Sequence, residues 1–322
     1  VVKRIEKHEL RVGMYIEALE GMWLNSPTSE RRFLVSRQRD VEVLKASDVT
    51  GIYINTSKGL DRDGRRPNSA ASANGREEAA GNVVQLEKQR ATAKVLQESV
   101  ASLESVFLAS QSGAELDTEA CMAVAGEIAN SVKDGPSILL GMTRLKSKDK
   151  VTFLHSIAVS ALLVHLGREM AFDEATVRCL GLAGLVHDIG KLAIPVEVLQ
   201  KPSGLTEEER ALIMNHTVLG HEILVQQGQL PDLVLDICLN HHERVDGKGY
   251  PNRVPGANLS IFARMAAICD VYEATTSVRP YKEPWSSKYA FNWMLQREGH
   301  FDHQLLWRFI LSFDATDQRE TA

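Results

Sequence analysis

Val177 to Lys191 reads VRCLGLAGLVHDIGK. The apolar run predicts a helix, and on a helix Lys191 falls one turn beyond His187 and Asp188. An imidazole, a carboxylate and an ammonium thus meet at the end of an element that is otherwise apolar. Working outward, Val151 to Met170 is predicted as a second helix, with Leu154, Ala158, Ala161 and Leu162 on a broad apolar face. Leu96, Val100, Leu103 and Phe107 follow at i, i+4, i+7 and i+11, one stripe of another helix. Downstream, helices are predicted over Glu207 to Gln226, Leu233 to His242, Ser260 to Ser277 and Ser287 to Arg297. Thr206 ahead of Glu207, Glu208 and Glu209 is a good helix start, with acids at the positive end of the dipole. No strand-rich run follows residue 83, and there is no internal repeat. Residues 83–322 are therefore expected to form an all-α domain.

Ahead of it, residues 61–82 read DRDGRRPNSAASANGREEAAGN, without a single Val, Ile, Leu, Met, Phe, Trp or Tyr. A stretch with so little to bury is expected to be a flexible linker. Residues 1–60 then form a small module. Val12 to Ile16 and Gly51 to Ile54 have strand character, and Val41 to Leu44 looks like part of a helix, so the module is expected to be α/β or β-rich. His8 and Trp23 read as surface and core residues, not ligands.

Composition narrows the function classes. With 322 residues the chain has room for about two domains. Lys plus Arg number 37 against 42 Asp plus Glu, a net charge of −5, which argues against a general nucleic-acid binder. No apolar run is long enough to cross a membrane, and VVKRIEKHEL at the start is too polar for a signal-peptide core. The cytoplasm is the expected location. Cys121, Cys179, Cys238 and Cys269 are widely spaced with no C-x-x-C, so neither a thiolate zinc site nor a disulfide framework is indicated.

The histidines carry more. His187 and Asp188 are adjacent, His241 and His242 form a second pair, and His155 and His216 stand alone in helical segments. Asp270 interrupts the apolar run Met265 to Cys269, where a carboxylate is costly unless paired or coordinated. Each feature has a plain reading: a hydrogen-bonded helix histidine, a chance H-D dipeptide, an aspartate held by an arginine. Together they present several imidazoles and two carboxylates on successive helices, which suits a first-row metal taking N and O ligands. The residues alone leave both readings open.

The ordered motifs HDIGK at 187–191, HHE at 241–243 and DGKGYP at 246–251 resemble the HD-GYP family, a branch of the HD-domain metal-dependent phosphohydrolases. The similarity runs from about His155 to Phe309 and takes in IPVEVLQKPSGLTEEE, DVYEATTSVRPYK at 270–282 and GHFD at 299–302. LRVGMYIEAL and GIYIN resemble a small domain of unknown function often found ahead of HD-GYP domains. The resemblance implies an all-α domain that hydrolyses cyclic di-GMP, a bacterial second messenger, to pGpG or on to GMP. It implies metal ligands at His155, His187, Asp188, His216, His241, His242 and Asp270, with Asp188 bridging two divalent ions. Iron is the first expectation for these, and Mn, Co or Ni are alternatives. Lys191 would contact the scissile phosphate, Arg279 and Lys282 would hold phosphate or base, and Tyr250 would line the pocket. Protein partners in second-messenger signalling and a homodimer are compatible with it.

The chemistry fits those residue types. Two cations about 3.5–4 Å apart acidify a water between them and cradle phosphoryl oxygens. Neutral imidazoles preserve the net positive charge, and Lys191 would offset charge growing in the transition state. Gly247, Gly249 and Pro251 make a tight loop whose backbone can approach a ligand; taken alone, DGKGYP would be only a turn after a helix.

There are departures from the family. Some members carry a Glu where this chain has Val151, so two metals are expected here, not three. A frequent Asp is replaced by Glu273, which puts substrate contacts there in question. His221 lies about 140° around a helix from His216; it, His165, His300 and His303 are read as structural or surface residues, and Cys269 as core. Two rival readings are a low-turnover module that binds cyclic di-GMP or a protein, and an HD phosphohydrolase acting on another nucleotide. The complete ligand set argues against the first and the GYP motif against the second.

Overall fold

The computed structural model describes residues 2–20, 33–35, 38–46, 51–64, 74–112, 114–133, 136–143, 151–199, 201, 204–228, 230–278 and 284–319. The chain divides into two units, Val1–Val84 and Gln85–Ala322.

The first unit is built on a four-stranded antiparallel sheet of order β1-β4-β2-β3, with β1 at Val2–Ile5, β2 at Tyr15–Glu20, β3 at Phe33–Leu34 and β4 at Gly51–Asn55. The helix α1 spans Gln38–Ala46. Period-2 alternation puts Ile52 and Ile54 on one face, where they join Ile5, Leu10, Met14, Ile16, Val35, Val41 and Leu44 in a core. The GIYI strand and the helix around Val41 match the sequence reading. The strand expected from Val12 starts instead at Tyr15. Gly13 adopts a positive φ of 94°, so the backbone turns at that point and leaves Val12 exposed.

The expected flexible linker over 61–82 needs correction at both of its ends. Asp61 pairs with Lys3 at 2.6 Å and Arg62 with Glu9 at 2.6 Å, so both belong to the packed first unit. From Asn74 the backbone is helical and continues to Gln111 as α2. The reason is propensity: GREEAAG supplies no apolar surface, but Ala, Glu and Arg are strong helix formers. A composition unable to build a core can still build a helix. Residues 65–73 lie outside the described residues.

From Gln85 onward the described residues form no strand. Beyond α2, the helices are α3 Thr118–Ser131, α4 Ser137–Thr143, α5 Val151–Glu169, α6 Glu174–Val186, α7 Val196–Leu199, α8 Glu207–Met214, α9 His216–Gln226, α10 Asp232–Asn240, α11 Ile261–Thr276, α12 Ser287–Leu295 and α13 His303–Arg319. The mainly-α expectation therefore holds, and α3, α4, α7 and α13 add to the helices foreseen. Helix α5 is the central element, apolar on nearly every side, as a helix enclosed by others must be. It packs on α3, α4, α6, α11 and α13. Its contact with α6 is close because Gly184 has no side chain: a Cβ there would lie 2.5 Å from the Cα of Ser160.

Two predicted helices are broken, and both breaks matter. The one foreseen over Val177 to Lys191 ends at Val186, and Ile189–Ala193 is a 3-10 turn. The one foreseen over Glu207 to Gln226 is two helices hinged at Asn215. Each break puts a histidine at a helix end.

Candidate metal centre

All seven residues expected as ligands converge. His155 projects from the interior of α5, Asp270 from α11, and His187 and Asp188 from the turn closing α6. His216 opens α9, while His241 and His242 follow α10. Asp188 lies at the middle. Its Oδ1 is 3.1 Å from His216 Nε2 and 3.7 Å from His241 Nε2. Its Oδ2 is 3.4 Å from His187 Nε2 and 3.5 Å from His155 Nε2. Asp270 reaches His155 Nε2 at 3.2 Å and His242 Nδ1 at 3.8 Å. Two groups of donor atoms result, one of His155, His187 and Asp188, the other of Asp188, His216, His241 and His242, with each group's atoms within 4.8 Å of one another. Asp188 is common to both.

The hydrogen bonds fix the state of the rings. His187 Nδ1 lies 2.8 Å from Gly184 O, His216 Nδ1 2.6 Å from Ile213 O, and His241 Nδ1 3.0 Å from Ile237 O. A carbonyl only accepts, so each Nδ1 bears a proton, and in the neutral ring Nε2 presents a lone pair to the cluster. In that form the lone pairs face carboxylate oxygens and each other. His187 Nε2 and Asp188 Oδ1 are buried and make no hydrogen bond, a costly arrangement in a dry interior. A cation among these atoms removes every one of the conflicts, so the residues present fit the metal ions of HD-domain phosphohydrolases.

The electrostatics point the same way. Burial pushes the Asp188 carboxyl up, but Lys191 and His187 outweigh it and hold the group well below the usual range. Asp270 behaves alike, with His155 overcoming burial. Burial drives His241 well below its ordinary value and His242 down to about 4, leaving both neutral and available as ligands. His155 differs: burial is outweighed by Glu273 and by hydrogen bonds to Asp188, Asp270 and Glu273, which raise it to about 10, so this ring must release a proton before it can serve as a ligand.

Lys191 forms an ion pair with Asp188 Oδ2, as its position one turn on suggested, although through a 3-10 turn. The Tyr250 ring lies against His242, centroids 4.7 Å apart. Arg279 and Lys282 lie outside the described residues, as does the side chain of Val151. His165 is buried and bonded to Ser312 at 2.9 Å, in keeping with a structural role. Cys269 is core.

Three residues that shape the site had no role in the sequence reading. Glu243 is buried, and its carboxylate accepts from the N–H groups of Asn252 at 2.7 Å and Val254 at 3.1 Å, so it ties the GYP loop to the helix end that carries His241 and His242. Gly190 lets the 3-10 turn press on α9: a Cβ would fall 1.9 Å from His216 O. Glu273 touches His155 at 2.5 Å, where a substrate contact had been in question. The HHE and HDIGK strings contain the first two, but spacing alone does not say which backbone each meets.

With five histidines and Asp270 set into a helical core around Asp188, the class is that of an HD-type hydrolase domain. The comparisons agree: residues 128–305 match the HD domain family, residues 2–121 match a domain of unknown function, DUF3391, and the chain belongs to the HD domain family. It is 40% identical over 315 residues to the cyclic di-GMP phosphodiesterase PA4108 of Pseudomonas aeruginosa, covering 96% of this chain and 76% of the relative. It is 38% identical over 148 residues to the cyclic di-GMP phosphodiesterase response regulator RpfG of Xanthomonas campestris pv. campestris, covering 46% of this chain and 39% of the relative. The 3'3'-cGAMP-specific phosphodiesterase 1 of Vibrio cholerae is 39% identical over 162 residues, 49% of this chain and 37% of the relative. The solved structure of Bd1817, an HDG"Y"P protein from Bdellovibrio bacteriovorus, shares the fold with a TM-score of 0.59 at 16% identity, covering 98% of this chain and all of that one. No described helix is long and apolar enough to cross a membrane.

Proposed function

We propose that the chain is a phosphodiesterase that opens cyclic di-GMP to pGpG. The observation that carries this is the set of imidazole and carboxylate donor atoms gathered on Asp188 with Lys191 beside it; the substrate is supported by the relative that matches 96% of the chain. His155, His187, Asp188 and Asp270 would hold one divalent ion, and Asp188, His216, His241 and His242 a second. Iron is the first choice and manganese the next. Such ions supply Lewis acidity toward a phosphodiester.

The chain's own groups do the rest. Asp188, common to both donor groups, would help to hold both ions. The carbonyl ends of α6, α8 and α10 meet at the site, and their dipoles favour positive charge there. The Lys191 ammonium, anchored on Asp188, is close enough to offset charge on a phosphoryl oxygen. Tyr250 narrows the entrance, and Arg279 and Lys282 grip the distal phosphate or guanine. The strand-bearing first unit acts as a regulatory module, and the protein works in the cytoplasm, where a nucleotide messenger is made and read.

The relatives specific for 3'3'-cGAMP favour a second reading with the same chemistry on a mixed dinucleotide. Product analysis on protein loaded with iron or manganese decides: pGpG from cyclic di-GMP, faster than linear product from 3'3'-cGAMP, is expected. The reverse order would give the second reading, and no cleavage of either would overturn both.

A further inference from the structure

Three of the buried imidazoles solve the same problem in one way. His187 closes α6, His241 closes α10, and His216 follows the last turn of α8. The final carbonyls of a helix have no intrahelical partner. Each ring therefore finds a main-chain acceptor for its Nδ1 proton within four residues: Gly184 O, Ile237 O and Ile213 O. The backbone alone holds their Nε2 atoms toward Asp188.

His155 lacks that resource. It lies inside α5, which runs from Val151 to Glu169, where the carbonyls one turn back are taken up by the helix itself. Its Nδ1 is met by the Oε2 of Glu273 at 2.5 Å, a side chain 118 residues away in sequence. Glu273 is buried. Its other oxygen accepts from the Ser277 hydroxyl at 2.5 Å, and Ser277 closes α11 with its own N–H on Glu273 O. The carboxylate is thus held at both ends, and the ring it holds turns Nε2 to Asp270 and Asp188 at 3.2 and 3.5 Å.

We propose that Glu273, locked by Ser277, is the positioning residue that fixes the ring of His155 and thereby sets the affinity of the ion held by His155, His187 and Asp188. The inference rests on the metal-site reading given above. Glu273 does not reach the reacting atoms; it acts through His155. The side chain acts on one half of the site, because in the other half His216 and His241 are oriented by main-chain carbonyls and His242 faces Asp270.

The test is a Mn²⁺ titration of the full chain after metal stripping, with free Mn²⁺ read by electron paramagnetic resonance and metal-free melting recorded alongside. Wild-type protein is expected to take up two ions. Glu273→Gln keeps the size of the side chain and removes its charge. It is expected to bind one ion with wild-type affinity and the other about 10- to 100-fold more weakly, the usual effect of losing an outer-shell carboxylate. Ser277→Ala is expected to weaken the same ion by a smaller factor, and it carries the test if Glu273→Gln does not fold. Glu273→Asp, which restores the charge, is expected to recover part of the affinity. A Glu273→Gln isotherm that superimposes on wild type, even with a lower metal-free melting temperature, would overturn the proposal, since a merely structural residue behaves so. Equal weakening of both ions would overturn it as well. A wild-type protein that takes up no ion would instead remove the metal-site reading on which the proposal stands.

Discussion

His216 and His241 bring their Nε2 atoms to 3.3 Å of each other, while each Nδ1 faces a main-chain carbonyl. Both Nε2 atoms are thereby turned to the same point beside Asp188. A cation placed there would be met by both rings at once. Metal that binds only the folded chain stabilises it by about 2.7 kcal/mol at a hundredfold excess over Kd. Treatment with a chelator is expected to lower Tm by several degrees, and re-addition of Mn²⁺ to restore it. Asp188→Ala, which removes the group shared by both clusters, is expected to retain less than half of the wild-type metal by elemental analysis. Full retention would show that the clusters do not depend on a common carboxylate.

Lys191 pairs with Asp188 through a side chain that is 30% exposed, so it faces both the ligand and the solvent from which substrate arrives. Lys191→Ala is expected to lose about 10²–10³ in kcat, as for one preorganised donor elsewhere, with KM and metal content near wild type. Loss of metal in place of kcat would make the lysine an anchor for Asp188 and nothing more.

Glu243 accepts two loop N–H groups from a buried position. Glu243→Ala removes the acceptor of both, exposed Asn252 and half-buried Val254, at up to about 1–3 kcal/mol each where water does not replace it. The GYP loop is then expected to loosen. Steady-state kinetics should give a raised KM with a smaller change in kcat, and limited proteolysis should give new cleavage between residues 250 and 256. An unchanged KM would mean the loop keeps its shape without the carboxylate.

How much of this was legible in the sequence follows from what each residue needs. The seven candidate ligands were legible through the resemblance to the HD-GYP family, carried by the short ordered strings HDIGK, HHE and DGKGYP; the residues alone left a metal site and ordinary hydrogen bonding both open. The helices were legible where an apolar stripe ran on, as in Val100, Leu103 and Phe107, all buried. The breaks at Val186 and Asn215 were not, since the residues after them have no strong breaker and the turn is fixed by packing. Gly190 shows this. Its need for a bare Cα arises from His216 O, which lies 26 positions on, so no local pattern reveals it. Gly190→Ala is expected to push α9 away from the 3-10 turn, lowering Tm and metal content together; wild-type values for both would mean the contact yields at no cost.

His300 links the fold to pH. Its ring stacks on Phe301, centroids 4.1 Å apart, and its main chain joins the segment before the GYP motif: His300 O accepts from Val245 N–H at 3.3 Å and Gly299 O from Asp246 N–H at 2.9 Å. Burial pushes the imidazole pKa down to about 4, and Arg244 pushes the same way against Asp246. In the unfolded chain the same ring titrates near 6.5. Between those values the unfolded state binds the proton and the folded state does not, so stability falls as pH drops through that window. Above about 6.5 the folded protein carries no penalty from this residue; below about 4 the loss is complete. In chelator, to keep metal loss out of the comparison, wild-type Tm is expected to fall more between about pH 7.5 and about pH 5 than that of His300→Gln, which cannot titrate. Parallel Tm profiles for the two proteins would show that His300 takes up its proton in the folded state without strain.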